Sequence, residues 1–260
     1  MSHPVLFHRR FGEAGRPPLV ILHGLLGASR NWQTVARELS SRFDVYVPDL
    51  RNHGASFRDD DAGYPALAGD VLAWLDANGL GRVHLLGHSM GGKTAMRFAA
   101  DHPGRLLSLT VVDIAPRRYG HHHRVEFAAM RSLDLGGIAD RRAADEALTP
   151  YVPDWAMRQF LLTNLARRDD GSFAWEVNHL ALAAALPEIC ESPLSEGETY
   201  DGPTSFVIGG KSDFVRREDR AGIFAHFPKA VLVELPDSGH NPHIDSRAAL
   251  VSALSDTLPT

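Results

Sequence analysis

Residues 87–92, Gly-His-Ser-Met-Gly-Gly, place one serine among three glycines, between an apolar run and a helix-like segment. A strand, the pattern G-x-S-x-G and a helix, in that order, are typical of a nucleophile elbow. In that turn the serine sits on a strained backbone, with its hydroxyl above the edge of a sheet. We expect Gly87 and Gly91 to let the strand and the helix cross closely, where side chains would clash. The pattern therefore predicts that Ser89 is a nucleophile.

A serine hydroxyl needs a base to take its proton, and the usual base is an imidazole. Among the 14 histidines, His240 is the best placed, because it follows the last predicted strand and precedes the final helix. Such a loop opens at the carboxyl edge of a parallel sheet, where ligands bind. His243 is expected in or beside that helix and ranks below His240. Four further histidines are interpreted as packing or structural residues: His23, His53, His84 and His88.

The attacked carbonyl oxygen needs N–H donors for the negative charge that builds on it. Met90 follows the serine at the start of a helix, so its N–H group faces that charge. The second donor is expected from the loop His-Gly-Leu-Leu-Gly at 23–27, which follows an apolar run at 19–22. We expect Leu25, the residue after His23 and Gly24, to supply it.

Two aspartates compete for the third position, the acid that orients the imidazole and stabilises its cation. Asp213 follows the penultimate predicted strand, in Gly-Lys-Ser-Asp at 210–213. Asp113 ends the predicted strand at 109–112. Both positions keep the chain order Ser, Asp, His, so the residues alone leave the choice open.

The elements that must position these residues are short apolar runs rich in β-branched residues. Most of the runs lack polar alternates, as expected for strands buried on both faces of a parallel sheet. A helix-period segment at 65–77 lies between two of them, and the alternation predicts a three-layer α/β domain. The predicted strands are 19–22, 45–47, 83–86, 109–112, 206–208 and 231–233.

The alternation breaks between residues 116 and 200, where we find helix-like pieces and no clear strand. A segment of that length is too long for a plain loop. The sequence therefore predicts a core domain made of 1–115 and 201–260, with an inserted helical cap at 116–200.

Six motifs carry a resemblance to a known family. They are HGLLG at 23–27, DLRNHG at 49–54, GHSMGGK at 87–93, VVDIAP at 111–116, LLTNL at 161–165 and GGKS at 209–212. With them the sequence resembles the α/β-hydrolase superfamily and, within it, the YbfF-like esterase family. The resemblance implies an α/β-hydrolase fold, with a mostly parallel, doubly wound sheet and an inserted helical cap. It also implies Asp113 as the acid, with Ser212 assisting.

Composition excludes several other classes of protein. A net charge of −5, with no long block of Lys and Arg, disfavours a nucleic-acid partner. Cys190 is the single cysteine, so no internal disulfide can form. The first ten residues lack the apolar stretch of a secretory signal and no run is apolar enough to span a membrane, so we expect a cytoplasmic protein.

No cofactor or metal is expected, because the serine chemistry requires neither and no His-Glu-x-x-His spacing occurs. The segment His121-His122-His123, with Arg117, Arg118 and Arg124 nearby, is interpreted as a solvated basic loop. A competing hypothesis places these charges at the pocket mouth, where they would attract an anionic substrate. The sequence predicts no oligomeric state.

We therefore predict a serine hydrolase that cleaves carboxylic acyl esters, and thioesters such as acyl-CoA, through an acyl-enzyme. The family resemblance implies short- or medium-chain acyl groups. Two alternatives remain at this point. One is a lyase or carbon–carbon bond hydrolase that uses the same triad, and the other is a non-catalytic ligand-binding protein that keeps the fold.

Overall fold

A seven-stranded sheet forms the centre of the chain, which the computed structural model describes over residues 5–120 and 123–259. The strand order is 1-3-2-4-5-8-9, and every neighbouring pair is parallel except the first, which is antiparallel. The strands of this sheet are β1 (His8–Phe11), β2 (Pro18–Leu22), β3 (Asp44–Pro48), β4 (Val83–His88), β5 (Leu106–Val112), β8 (Thr204–Gly209) and β9 (Ala230–Leu235).

Helices cover both faces of the sheet and also build the segment between β5 and β8. In chain order they are α1 (Ser29–Leu39), α2 (Tyr64–Ala77), α3 (Met90–Asp101), α4 (Arg124–Ser132), α5 (Arg141–Leu148), α6 (Trp155–Leu162), α7 (His179–Ala184), α8 (Leu186–Cys190), α9 (Asp219–His226), α10 (Pro242–Asp245) and α11 (Arg247–Thr257).

Two hydrophobic cores lie on opposite faces of the sheet. Successive side chains of a strand point to opposite faces, and in β2 the side chains of Leu19 and Ile21 join a cluster with residues of α1 and α11. Val20 and Leu22 join the larger cluster, which contains residues of α2 and α3. This arrangement confirms the predicted α/β class and the mostly parallel sheet.

All six predicted strands and the predicted helix at 65–77 are present, but the prediction missed β1. Its sequence, His-Arg-Arg-Phe, is polar, and the strand pairs antiparallel with β3 at the edge of the sheet, where its residues are partly or fully exposed. An edge strand with one solvated side does not show the apolar run that identifies buried strands.

The expectation that no strand occurs between 116 and 200 was wrong. Two short strands, β6 (Leu165–Arg167) and β7 (Phe173–Trp175), pair antiparallel as a hairpin. Strands of three residues are too short to show a period of two, and the turn between them uses Gly171 at φ +85°. Apart from this hairpin the described elements of the segment are helical. The boundaries of the predicted cap stay a prediction.

The carboxyl ends of five parallel strands meet at one edge of the sheet. β4 ends beside Ser89 and β5 beside Asp113, while β9 leads to His240. β2 leads into residues 23–27 and β8 into residues 210–213. In the described part of the chain, no helix is long and apolar enough to cross a membrane.

Candidate active site

Ser89 joins β4 to α3 in a strained conformation, with φ +52° and ψ −119°. Its N–H group donates to Val112 O at 3.1 Å, which ties the turn to the end of β5. A Cβ on Gly91 would lie 2.5 Å from His23 O, and one on Gly87 would overlap the carbonyl of Gly91. The glycines therefore permit the close crossing on which this turn depends.

Two hydrogen bonds connect the serine to a buried carboxylate through one imidazole. His240 Nε2 lies 3.1 Å from Ser89 Oγ, and His240 Nδ1 lies 2.8 Å from Asp113 Oδ2. Asp113 is fully buried, whereas 22% of the His240 side chain is exposed. With a proton on Nδ1 donated to the carboxylate, Nε2 is free to accept the serine proton.

Asp113 is held by other donors besides the imidazole. Its Oδ1 accepts from the Gly209 N–H at 2.9 Å, and its Oδ2 accepts from Ser212 Oγ–H at 2.5 Å. Ser212 Oγ in turn accepts from the Phe214 N–H at 3.2 Å. These bonds satisfy a charge that burial would otherwise make very unfavourable.

The alternative acid, Asp213, is exposed on the turn after β8. None of the hydrogen bonds to His240 in the described chain comes from its side chain. The structure therefore brings Asp113 and Ser212, not Asp213, together with Ser89 and His240.

Two neighbours hold His240: Phe214, which was not singled out from the sequence, and His88, which was interpreted as a packing or structural residue. The Phe214 ring stacks on the imidazole, with centroids 3.5 Å apart and planes at 14°. His88 Nε2 lies 2.8 Å from the His240 carbonyl oxygen. Burial and the nearby His240 hold the pKa of His88 well below its usual value, so His88 is neutral and donates this bond from Nε2. Both neighbours restrict the position of His240.

His243, the lower-ranked histidine, is buried on α10 away from the serine contact. Its ring stacks on Trp32 with centroids 4.5 Å apart. Burial, with the proximity of His240, lowers its pKa to about 4. His243 therefore packs as a neutral ring.

Leu25 and Met90, the expected oxyanion donors, line the same cavity as Ser89. Among the described residues, neither of their N–H groups donates a hydrogen bond. Free N–H groups beside the nucleophile are what an oxyanion hole requires.

Two cavities meet at Ser89. The smaller one is walled by apolar side chains from the core and from α8, including Ile114, Leu186 and Phe214. The larger one is an open cleft that extends along α6, past Met157 and Phe160. Ser89 therefore has access to separate spaces on two sides.

Lys93 lies at the wall of the smaller cavity and is almost fully buried. Its Nζ donates to three consecutive carbonyl oxygens at the end of α8, at 2.6–3.3 Å. It also lies over the rings of Tyr119, at 4.8 Å, and Tyr64, at 5.5 Å. Desolvation lowers the pKa of Lys93 to about 7. From the sequence, Lys93 was identified only as the last residue of the motif GHSMGGK at 87–93.

Two of the three arginines of the predicted basic loop form ion pairs with acidic residues. Arg117 pairs with Asp219 at 2.7 Å, and Arg118 pairs with Glu191 at 3.1 Å. His121 and His122 lie outside the described residues. Within the described ranges, no group of three or more His, Cys, Asp or Glu side chains is arranged to hold a metal ion.

Comparison with known proteins gives consistent matches over nearly the whole chain. A family model described as alpha/beta hydrolase fold matches residues 17–246. The sn-1-specific diacylglycerol lipase ABHD11 of Mus musculus is 36% identical, over 98% of this chain and 85% of that protein. Esterase YbfF of Escherichia coli (strain K12) is 32% identical, over 91% of each. A solved structure titled marine microorganism esterase superposes with a TM-score of 0.95 at 35% identity, covering 98% of this chain and 100% of that one.

Proposed function

Since the chain belongs to the α/β-hydrolase fold family and is an esterase/lipase-type hydrolase, we propose that it cleaves acyl esters through an acyl-enzyme on Ser89. The observation that carries this proposal is the pair of hydrogen bonds from Ser89 through His240 to Asp113. That connection is what proton removal from a serine needs.

Acylation begins when Ser89 Oγ attacks the ester carbonyl carbon and its proton passes to His240 Nε2. Asp113 stabilises the imidazolium cation and holds the ring in the required tautomer. The carbonyl oxygen becomes an oxyanion and accepts hydrogen bonds from the N–H groups of Leu25 and Met90. Collapse of this intermediate breaks the ester C–O bond, and His240 Nε2 returns the proton to the departing alcohol.

Deacylation repeats the same proton transfers with water as the nucleophile. His240 Nε2 accepts a proton from water as the water oxygen attacks the acyl carbon. When the second tetrahedral intermediate collapses, the proton goes to Ser89 Oγ. The products are the carboxylic acid and the free serine. Apart from the ester and one water molecule, no group outside the chain is needed to balance the two steps.

We assign the smaller cavity to the acyl chain and the open cleft to the alcohol. The smaller cavity contains Leu25 and Met90 with the nucleophile, and its walls are mostly apolar. Lys93 and Tyr64 at this cavity already bond to backbone carbonyls, so they do not offer a charged partner to the substrate. This lining favours an uncharged short- or medium-chain acyl group.

Thioesters with the same acyl group follow the same chemistry, and we include them in the proposal. The ion pairs of Arg117 and Arg118 argue against attraction of an anionic thioester, because each guanidinium already has a carboxylate partner. The acyl group rather than the charge of the leaving group is expected to determine turnover.

The test is hydrolysis of a series of p-nitrophenyl esters from acetate to palmitate, by the wild type and by Ser89→Ala. We expect turnover of the shorter esters by the wild type and its loss in the variant. Matched acyl-CoA and acyl-N-acetylcysteamine thioesters, at low and high salt, test the charge argument. Equal rates in Ser89→Ala would contradict the proposed nucleophile. A salt-sensitive preference for acyl-CoA would contradict the expectation that the charge of the leaving group does not determine turnover.

A further inference from the structure

Leu26 follows the proposed oxyanion donor Leu25 and adopts φ +61°, the left-handed region that leucine rarely occupies. Both of its backbone polar groups are bound by side chains. Its N–H donates to His53 Nε2 at 3.2 Å, and its carbonyl accepts from Asn164 Nδ2 at 2.8 Å. A backbone conformation of this kind persists only when its surroundings hold it.

The peptide group that carries the Leu25 N–H is held from the other side. The Gly24 carbonyl accepts from His23 Nδ1 at 2.9 Å and from the Gly27 N–H at 3.0 Å. His23 Nε2 accepts from the Leu50 N–H, which leaves the proton on Nδ1. In a trans peptide the N–H and C=O groups point in opposite directions, so fixing this carbonyl aims the Leu25 N–H.

His23 and His53 belong to the core, but Asn164 comes from the inserted segment, between α6 and β6. It is fully buried, and its own carbonyl accepts from the Glu176 N–H after β7 at 2.8 Å. The hairpin therefore holds the residue that contacts the loop. This is a direct connection between the inserted segment and residues 23–27.

Only one end of the Asn164 side-chain amide, its Nδ2, forms a hydrogen bond within the described part of the chain. Its Oδ1 is buried and has no hydrogen-bond partner among the described residues. A buried polar atom without a partner is unfavourable compared with an apolar side chain of the same shape. The interaction that an apolar side chain could not make is the hydrogen bond from Asn164 Nδ2 to the Leu26 carbonyl.

We propose that Asn164 is a positioning residue through which the inserted segment holds residues 23–27, so that the Leu25 N–H meets the oxyanion. The inference rests on the proposed function. A positioning role differs from a general role in docking the inserted segment onto the core. It predicts that loss of Asn164 weakens transition-state binding more than substrate binding.

The test compares Asn164→Leu, which keeps the volume and removes the donor, with Asn178→Ala as the control. Asn178 also joins the inserted segment to the core, through Asn52 Oδ1 at 3.0 Å, and none of its hydrogen bonds within the described chain goes to residues 23–27. The readouts are kcat and KM for p-nitrophenyl butyrate and the inhibition constant of an aryl trifluoromethyl ketone. Such a ketone forms a tetrahedral adduct with the serine, and this adduct carries an oxyanion. Asn164→Ala serves as a second variant if Asn164→Leu does not fold.

We expect Asn164→Leu to lower kcat about tenfold and to weaken the ketone by a similar factor, with KM changed less than about twofold. Asn178→Ala is expected to change all three by less than about twofold. Unchanged kcat and ketone affinity in the Asn164 variants, or equal losses in Asn178→Ala, would overturn the inference. Inactive wild type would instead refute the proposed function itself.

Discussion

Asp113 turns its carboxylate into the protein interior from a left-handed backbone, at φ +51°, at the end of β5. The Gly209 N–H and the Ser212 hydroxyl orient the carboxylate so that Oδ2 faces the imidazole. Asp213, one residue after Ser212, stays exposed. The two candidate acids therefore differ in their surroundings, although they are equally compatible with the chain order.

At this scale we predict that Asp113→Asn lowers kcat for p-nitrophenyl butyrate by about 10⁴-fold, because the amide favours the wrong imidazole tautomer. Asp213→Asn is the matched control and should change kcat by less than about twofold. Steady-state kinetics on both variants provides the measurement. A larger loss in Asp213→Asn would move the acid role to that residue.

Ser89, His240 and residues 23–27 could be predicted from the sequence, because each lies in the loop or turn that follows a recognisable strand. It did not identify Phe214 or Lys93. The Phe214 ring reaches His240 from a different strand end, and Lys93 reaches carbonyls about a hundred residues later in the chain. Contacts of this kind depend on tertiary packing, and no local spacing encodes them.

Two elements are joined by Lys93, which extends from α3 to the carbonyl end of α8. A lysine near the last carbonyls of a helix can satisfy groups that have no partner within the helix. The Ile189 carbonyl also accepts from Tyr64 OH at 2.6 Å. This side of the proposed acyl pocket is therefore fixed to the core.

This arrangement predicts a stability that depends on pH. The pKa of Lys93 is about 7 in the folded protein, against an ordinary value of 10.5. Between these values the unfolded chain binds one more proton than the folded chain, so stability rises with pH. Relative to Lys93→Met, the free energy of unfolding of the wild type should increase by up to about 1.4 kcal/mol per pH unit.

Urea unfolding at pH 7, 8 and 9 on both proteins measures this difference. Lys229→Met, at an exposed lysine, is the control and should differ from the wild type by a constant amount. If the free energies of unfolding of the wild type and Lys93→Met also differed by a constant amount from pH 7 to pH 9, Lys93 would be protonated in the folded protein, contrary to the prediction.

The hairpin β6–β7 shows that hydrophobic periodicity in the sequence does not reveal very short strands. Three-residue strands show no readable period, yet this hairpin links Asn164, which donates to the Leu26 carbonyl, with Glu176, whose N–H bonds to the Asn164 carbonyl. The long parallel strands were predicted because their apolar runs reflect burial on two faces.

At the scale of the whole molecule, five histidines among the described residues are buried and have lowered pKa values. Desolvation is the main cause in each case, and it holds the pKa of His53 at about 3 and those of His84 and His243 at about 4. The other two are His23 and His88. Below the ordinary value of 6.5 the unfolded chain binds protons that the folded chain does not, so stability falls with falling pH.

We predict that the free energy of unfolding decreases from pH 7 to pH 5, and that His243→Phe reduces this loss by about 2 kcal/mol at pH 5. Phenylalanine keeps the ring that stacks on Trp32 and removes one group that must stay neutral. Urea unfolding of both proteins at pH 7, 6 and 5 is the measurement. If the free energy of unfolding changed equally with pH in the wild type and in His243→Phe, His243 would not be a group that titrates only on unfolding.

We propose that residues from five strand ends, brought together at one edge of the sheet, make Ser89 an activated nucleophile. The most direct test of this proposal is labelling with a fluorophosphonate, followed by peptide mass spectrometry, on the wild type, Ser89→Ala and His240→Asn. We expect one adduct, on Ser89, in the wild type, none in Ser89→Ala, and labelling slowed by at least about a hundredfold in His240→Asn. An adduct on another residue, or undiminished labelling of either variant, would contradict it.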